Sequence, residues 1–398
     1  MNSLSPSPAE EEPVLQIPPW PVYSEDEIEA TRKVLASGRV NAWTGNNNAA
    51  FEDAFAELLG LPYAISLANG SVALELALEA LDIGPGDEVI VPARSFVASA
   101  SCIARRGAQP VFADICRDSQ NLVPNTIEPV LGPATRAVIV AHIDGWPADM
   151  PAIMACAAAH DLLVIEDCAQ AHGARFGGTH VGSFGNVGCF SFCQEKIIST
   201  GGEGGMLVTE CEDTWKKAWA IKENGKHYED TISGSHSPEF RWLVRGFGTN
   251  YRMTALQAAI GIRQVEKLEG WHAARRRNAR IMYEALSSIE CLRRPWPDEH
   301  CDHAWYRYSC FTLPGAQARD DLISAITGAG APCFSGICPE IYRERAFVEA
   351  GFAPAARLPV ARELGETCLS FLVHPTIDPD TMERYATTVR DVLLPCTV

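Results

Sequence analysis

No apolar run in this chain reaches the roughly 20 residues that a helix needs to cross a bilayer. Its first residues, MNSLSPSPAEEE, also lack the basic and apolar regions of a secretion signal. Basic charge is scarce: 33 Lys and Arg stand against 50 Asp and Glu, a net charge of −17. That deficit argues against nonspecific binding to nucleic acid or an anionic membrane. A phosphorylated substrate remains compatible, because a few local donors hold an anion on an acidic protein. The 14 cysteines form no spaced framework. Several, such as Cys102, Cys156, Cys189 and Cys310, sit in apolar strings and read as reduced core residues of a cytoplasmic protein. His300, Cys301 and His303 fit no zinc spacing and no second ligand pair follows, so no metal is expected. Internal repeats are absent. Gly182, Gly185 and Gly188 lack the G-x-G step of a dinucleotide fingerprint.

What the chain does have is length and a recurring order. Its 398 residues exceed what one hydrophobic core usually serves. We expect an N-terminal arm over 1–23, disordered or extended, a large domain over 24–268 and a smaller α+β domain over 269–398. Ser24 opens a helix with acids in its first turn, and Gly38 ends it. Short apolar runs at Tyr63–Leu67, in GPGDEVIVP, in PVFADI and in RAVIVAHIDG alternate with helical stretches. Strand and helix in that rhythm mean parallel crossovers, hence an α/β fold with a mainly parallel sheet flanked by helices. WHAARRRNARIMYEAL, with its four arginines, reads as a solvated connecting helix.

The stretch from Asp161 to Val208 organises the rest. Leu162 to Ile165 reads as a buried strand that ends on Glu166 and Asp167, where an α/β sheet places ligand contacts. Val187 to Phe192 reads as a second strand, leading to Lys196 and the glycines 201, 202, 204 and 205. Pyridoxal phosphate chemistry needs a lysine amine that condenses with the coenzyme aldehyde, and an acid that keeps the pyridine nitrogen protonated. Asp167 and Lys196 are such a pair, although spacing alone leaves other lysines and acids as equal pairings. At Asn69-Gly70-Ser71, a helix begins directly after a strand. That is either an ordinary N-cap or a phosphate cradle.

These residues resemble a known family. IEDCAQAHGA, GSFGNVGCFSF, Lys196 and TGGEGGM follow one another as in the DegT/DnrJ/EryC1/StrS sugar aminotransferases, which are fold-type I pyridoxal phosphate enzymes. FEDAFAELLGL, ANGSVALELALEALDIGPGDEVIVPARSF, GAQPVFADI and GFGTNYRMTALQAAIG extend the likeness over about 38–268. The resemblance implies pyridoxal 5′-phosphate on Lys196 and Asp167 at the ring nitrogen. It implies Phe96 stacked on the ring, Gln170 at the ring hydroxyl, and Ser71, the Val72 amide and Ser191 on the phosphate. Asn250 would reach the phosphate of a partner subunit, so a homodimer with composite sites follows. Trp43 to Asn48 would lie near the site mouth. The implied reaction carries an amino group from L-glutamate to a nucleotide-linked keto-sugar, for a surface polysaccharide or secondary metabolite. A PLP-dependent sugar dehydratase of the family carries histidine in place of the lysine, and a noncatalytic sensor would not need both anchors. Three departures from the family pattern stand out: Cys193-Gln194-Glu195 ahead of Lys196, Asp144 where an aromatic is usual, and His374, which reads better as structural.

Overall fold

The structure, a computed structural model, describes residues 15–233 and 243–396. The expectations that fall on 1–14 and 234–242 lie outside the described residues. Short runs rich in Val, Ile and Ala form the strands Tyr63–Leu67 (β1), Glu88–Pro92 (β2), Gln109–Ala113 (β3), Thr135–Ala141 (β4) and Leu163–Asp167 (β5). Two short strands follow, Arg175–Phe176 (β6) and Thr179–His180 (β7), then Val187–Ser191 (β8) and Gly205–Thr209 (β9). The central sheet has seven strands in the order β1-β9-β8-β5-β4-β2-β3. Its run from β3 to β8 is parallel, and β9 alone is antiparallel to its neighbours β8 and β1.

The pleat sorts the apolar residues into two layers. Val89, Val91, Ile139 and Ile165 pack with Leu74, Ala77 and Ile103 on one side. Ile90, Val138, Val140 and Val164 face Met150 and Ile153 on the other. Beside that second layer, Phe51 and Phe55 meet Phe190, Phe192, Met206 and Val208. Both faces are covered, so these strands read as nearly continuous apolar runs.

The C-terminal part carries Leu292–Arg293 (β10), Cys301–Asp302 (β11), Tyr308–Thr312 (β12) and Cys368–Phe371 (β13). Strands β10, β12 and β13 make a second sheet, and β11 pairs with β6 of the larger part. One helix, Ala255–Ala285, joins the two parts and is capped by Thr254 and Gln257 acting on each other's backbone. Its 31 residues span about 46 Å at 1.5 Å per residue. It runs unbroken through 268–269.

One expectation changes here. The basic segment is not uniformly solvated: Arg276, Arg277 and Arg280 are exposed, but Arg275 is 1% exposed and donates to the carbonyls of Trp305 and Tyr306. Charge runs do not reveal which arginine of a helix faces inward; only the packing partner does. The described part of the arm takes the extended form, one of the two expected, and is packed. Leu15 and Ile17 join the C-terminal core, and Trp20 packs edge-on against Trp271 at 5.1 Å.

Phe55 lies 4.9 Å from the Phe190 ring centre and 5.5 Å from that of Phe192, beneath the strand that leads to Lys196. Replacing it by alanine opens a cavity there. We expect Phe55→Ala to lose about 3–5 kcal/mol of stability, read as a lower urea midpoint.

Candidate active site

A cavity of about 750 Å³ opens where β4, β5 and β8 end, and Tyr306, Arg307, Phe334, Gly336 and Ile337 wall it from the C-terminal part. The two acids that end β5 separate here, because adjacent residues of a strand face opposite ways. Glu166 turns inward, fully buried, and accepts from the N–H groups of Gly182, Phe184 and Gly185 at 2.8 Å each. His142 Nδ1 accepts from the Ala148 N–H, so its Nε2 carries the proton and donates to Glu166 at 3.1 Å. Glu166, His142 and Cys168 lie close enough to hold a metal, but the carboxylate is already surrounded by donors. Asp167 lines the cavity instead. Its Oδ2 accepts from Ser99 Oγ at 2.7 Å and its Oδ1 from the Ala169 N–H at 3.2 Å.

Lys196 lines the same cavity, its Nζ lying 5.1 Å from the centre of the Tyr306 ring. The loop that carries it is pinned by Phe192 N–H to Gly204 O at 2.8 Å and Gln194 N–H to Gly202 O at 3.1 Å. From the arm, Trp20 Nε1 donates to the Lys196 carbonyl at 2.9 Å. Trp20 is stacked on His374 and lies under the Arg275 guanidinium at 5.1 Å. His374 is bonded through Nδ1 to Thr376 at 2.8 Å, which agrees with its reading as a structural histidine.

At the other end, the helix Gly70–Ala80 points its N-terminus at Ser191. A Cβ on Gly70 would sit 2.5 Å from Ser191 Cβ, so only glycine lets the helix end approach β8 this closely. Ser71 and Ser191 both line the cavity. Asn69 Oδ1 accepts the Val72 N–H at 2.9 Å, and the Asn69 carbonyl takes the Ala73 N–H. The N–H groups of Gly70 and Ser71 are left at the open end of the helix. Val72 itself does not line the cavity, and its N–H is engaged by the cap residue Asn69. Phe96 does line the cavity and is 59% exposed, an aromatic face without cover.

Gln170 lines the cavity too, and its Oε1 accepts the Asp144 N–H at 2.7 Å. That contact fixes the amide, so Nε2 is the end left over. Asp144 adopts φ 57° and closes a network: its Oδ2 accepts from Gln120 at 2.9 Å and from Ser309 at 2.6 Å, while Gln120 Oε1 accepts from the fully buried Arg94. The departure from the family pattern at 144 is thus a brace linking the end of β4 to β12. Two sets of residues lie apart from the cavity. Asn250 is exposed and outside it, and of 43–48 none lines it. Trp43 Nε1 donates to Glu223, and Asn48 donates to Ser66 and the Met253 carbonyl.

Sequence reasoning missed Ser99, Tyr306, Arg307 and Trp20. Ser99 lies 68 residues from Asp167, and no local pattern marks it. The aromatic-basic pair in HAWYRY was the one available signal for Tyr306 and Arg307.

The cavity fits pyridoxal phosphate. A carboxylate, an amine, an uncovered aromatic face and a serine-lined helix end border one space, and the glycine at that helix end keeps it open for an anion.

Behind Lys196 lies His172, against the Phe190 and Phe192 rings. Burial, helped by the Lys196 charge, pushes its pKa down to about 3 from the ordinary 6.5. Between those values the unfolded chain takes up a proton that the folded chain refuses. Stability from this group is therefore complete above pH 6.5 and is lost as the pH falls. Acidification from pH 7 to 5 should cost about 2 kcal/mol through His172 alone. His172→Phe should flatten the pH dependence of the urea midpoint by that amount.

Comparison with known proteins agrees with this geometry. The profile of the DegT/DnrJ/EryC1/StrS aminotransferase family matches residues 21–390. The UDP-N-acetyl-3-dehydro-α-D-glucosamine 3-aminotransferase of Acidithiobacillus ferrooxidans is 36% identical over 355 residues, covering 88% of this chain and 89% of that one. The GDP-perosamine synthase of Caulobacter vibrioides is 42% identical over 282 residues, 70% of this chain and 73% of its own. The crystal structure of an aminotransferase from Psychrobacter cryohalolentis superposes with a TM-score of 0.93 at 44% identity, covering 96% of this chain and 99% of that one. The protein belongs to the DegT/DnrJ/EryC1/StrS aminotransferase family and is a pyridoxal phosphate-dependent aminotransferase.

Proposed function

We propose that this enzyme moves an amino group from L-glutamate to a nucleotide-linked keto-sugar, making an amino sugar for a surface polysaccharide or a secondary metabolite. The observation that carries the reading is the meeting of Lys196 and Asp167 on one cavity that is large enough for a coenzyme and a sugar together. The sugar-directed names of relatives that match most of the chain support it.

When bound, the coenzyme supplies an electron sink for the carbanion formed at the donor's α-carbon. In this proposal Lys196 would hold the coenzyme through its amine and would carry the proton at the donor's α-carbon. Asp167 faces the ring nitrogen and holds its proton there, since an adjacent anion favours the protonated form. Gln170 offers Nε2 to the ring hydroxyl, and Phe96 lies against the ring. Ser71, Ser191 and the N–H groups at the helix end hold the phosphate. Val72 has a lesser share, its N–H being engaged by Asn69.

Asn250 completes the phosphate site of a neighbouring subunit, which makes the working unit a homodimer. Its exposure, and that of Val244 and Phe247 close by, supports that assignment. Residues 24–268 act as the coenzyme-binding domain and 269–398 as the smaller domain, in a cytoplasmic protein. Lysine at 196 favours amino transfer over the dehydratase branch.

Lys196→Ala should lower turnover by more than about 1,000-fold with unchanged circular dichroism. Borohydride reduction and peptide mapping should place the coenzyme label on Lys196 in the parent enzyme. Normal turnover in the variant would remove the mechanism. Asn250→Ala should weaken coenzyme retention in a protein that sediments as a dimer; a monomer with full affinity would sink the composite site.

A further inference from the structure

Arg307 is the cavity residue that the coenzyme reading leaves without a task. It precedes β12, and its guanidinium carbon lies 4.8 Å from the centre of the Phe334 ring and 5.6 Å from that of Tyr306. Tyr306 is also the ring over which the Lys196 amine lies, at 5.1 Å. The fork and the amine therefore border the same aromatic face. Among the described residues that line the cavity, Lys196 and Arg307 are the only lysine and arginine. His142 adds no cation, since its Nδ1 accepts a hydrogen bond.

The state of the fork points to a missing anion. Arg307 NH1 is buried and has no hydrogen-bond partner among the described residues. Its ionic contact there is Glu195 Oε2, 3.7 Å from NH2, on a side chain that is 68% exposed. That distance is too long for a hydrogen bond, and a side chain so exposed is screened and free to swing away. A guanidinium stays charged throughout the accessible pH range, so it cannot relieve its burial by losing a proton. An acceptor brought in by a ligand meets that need. The aromatic rings hold the fork while its N–H groups stay available, which suits the flat, two-oxygen edge of a carboxylate.

We propose that Arg307 is the carboxylate-recognition residue of this cavity, binding a substrate carboxylate beside the Lys196 amine in place of Glu195. The proposal rests on the transamination reading above. Two substrates carry that chemistry: the amino-acid donor, through its α-carboxylate, and an acceptor sugar oxidised to a uronic acid. The donor leaves before the acceptor enters, so one fork is available to each in turn.

Glutarate, a dicarboxylate without an amine, serves as the binding probe because it cannot react. Calorimetry on the coenzyme-free and coenzyme-loaded enzyme should show glutarate binding that Arg307→Met weakens by about 30-fold or more. Arg307→Met keeps the apolar stem against Phe334 and Tyr306, and coenzyme absorbance should be retained. Arg307→Lys, which keeps the charge but loses the fork, should fall between the two. A raised KM for L-glutamate with unchanged kinetics toward a neutral keto-sugar identifies the donor as the source. A loss confined to a keto-uronic acid identifies the acceptor. Glutarate affinity unchanged in Arg307→Met, or no glutarate binding by the parent enzyme, overturns the proposal. A failure of the coenzyme reading is recognised separately, by the absence of label on Lys196.

Discussion

Four donors converge on the Glu166 carboxylate: three backbone N–H groups from 182–185 and the His142 ring. A carboxylate with no exposure to water is tolerable only when its lone pairs are met. Meeting them welds the turn ahead of β8 and the end of β4 to the end of β5. Once Glu166 faces inward, the pleat turns Asp167 the other way, into the cavity. The strand that leads to Lys196 starts from the same turn. The relation between the acid and the amine thus depends on an interaction that touches neither.

A second set of contacts reaches the amine from the far ends of the chain. The arm places Trp20 between Trp271, His374 and Arg275, with its indole N–H on the Lys196 carbonyl. Arg275 has no carboxylate partner among the described residues, and burial lowers its pKa without discharging it. Its charge is held by the carbonyls of Trp305 and Tyr306 and by the Trp20 face. The long helix, the arm and the segment before β12 therefore meet directly behind the reactive lysine.

Much of this was legible because it is local. Strand and helix periods, the Gly38 stop and the glycine at position 70 are set by neighbours a few residues away, and the strand ends followed from them. The topology rule for α/β sheets marked Asp167 at a strand end as a ligand contact, while the family resemblance singled out its pairing with Lys196 and named Ser191. That the Asn69 side chain takes the Val72 N–H was not legible, because the same three residues read equally as an ordinary cap or as a phosphate cradle. The helix 271–286 was misjudged because four arginines look alike until one of them finds carbonyls to face.

By itself the sequence determined the order of parallel crossovers, the acid and the lysine at strand ends, and a helix start at Gly70, since each is a property of short range. Tertiary structure alone decided that Glu166 anchors while Asp167 faces the cavity, that Asp144 braces rather than stacks, and that Arg307 shares the Tyr306 ring with the amine and has a buried N–H unmet among the described residues. Those outcomes depend on which distant donors and rings arrive at a given side chain. Hydrogen bonds and burial are settled between elements, not along them.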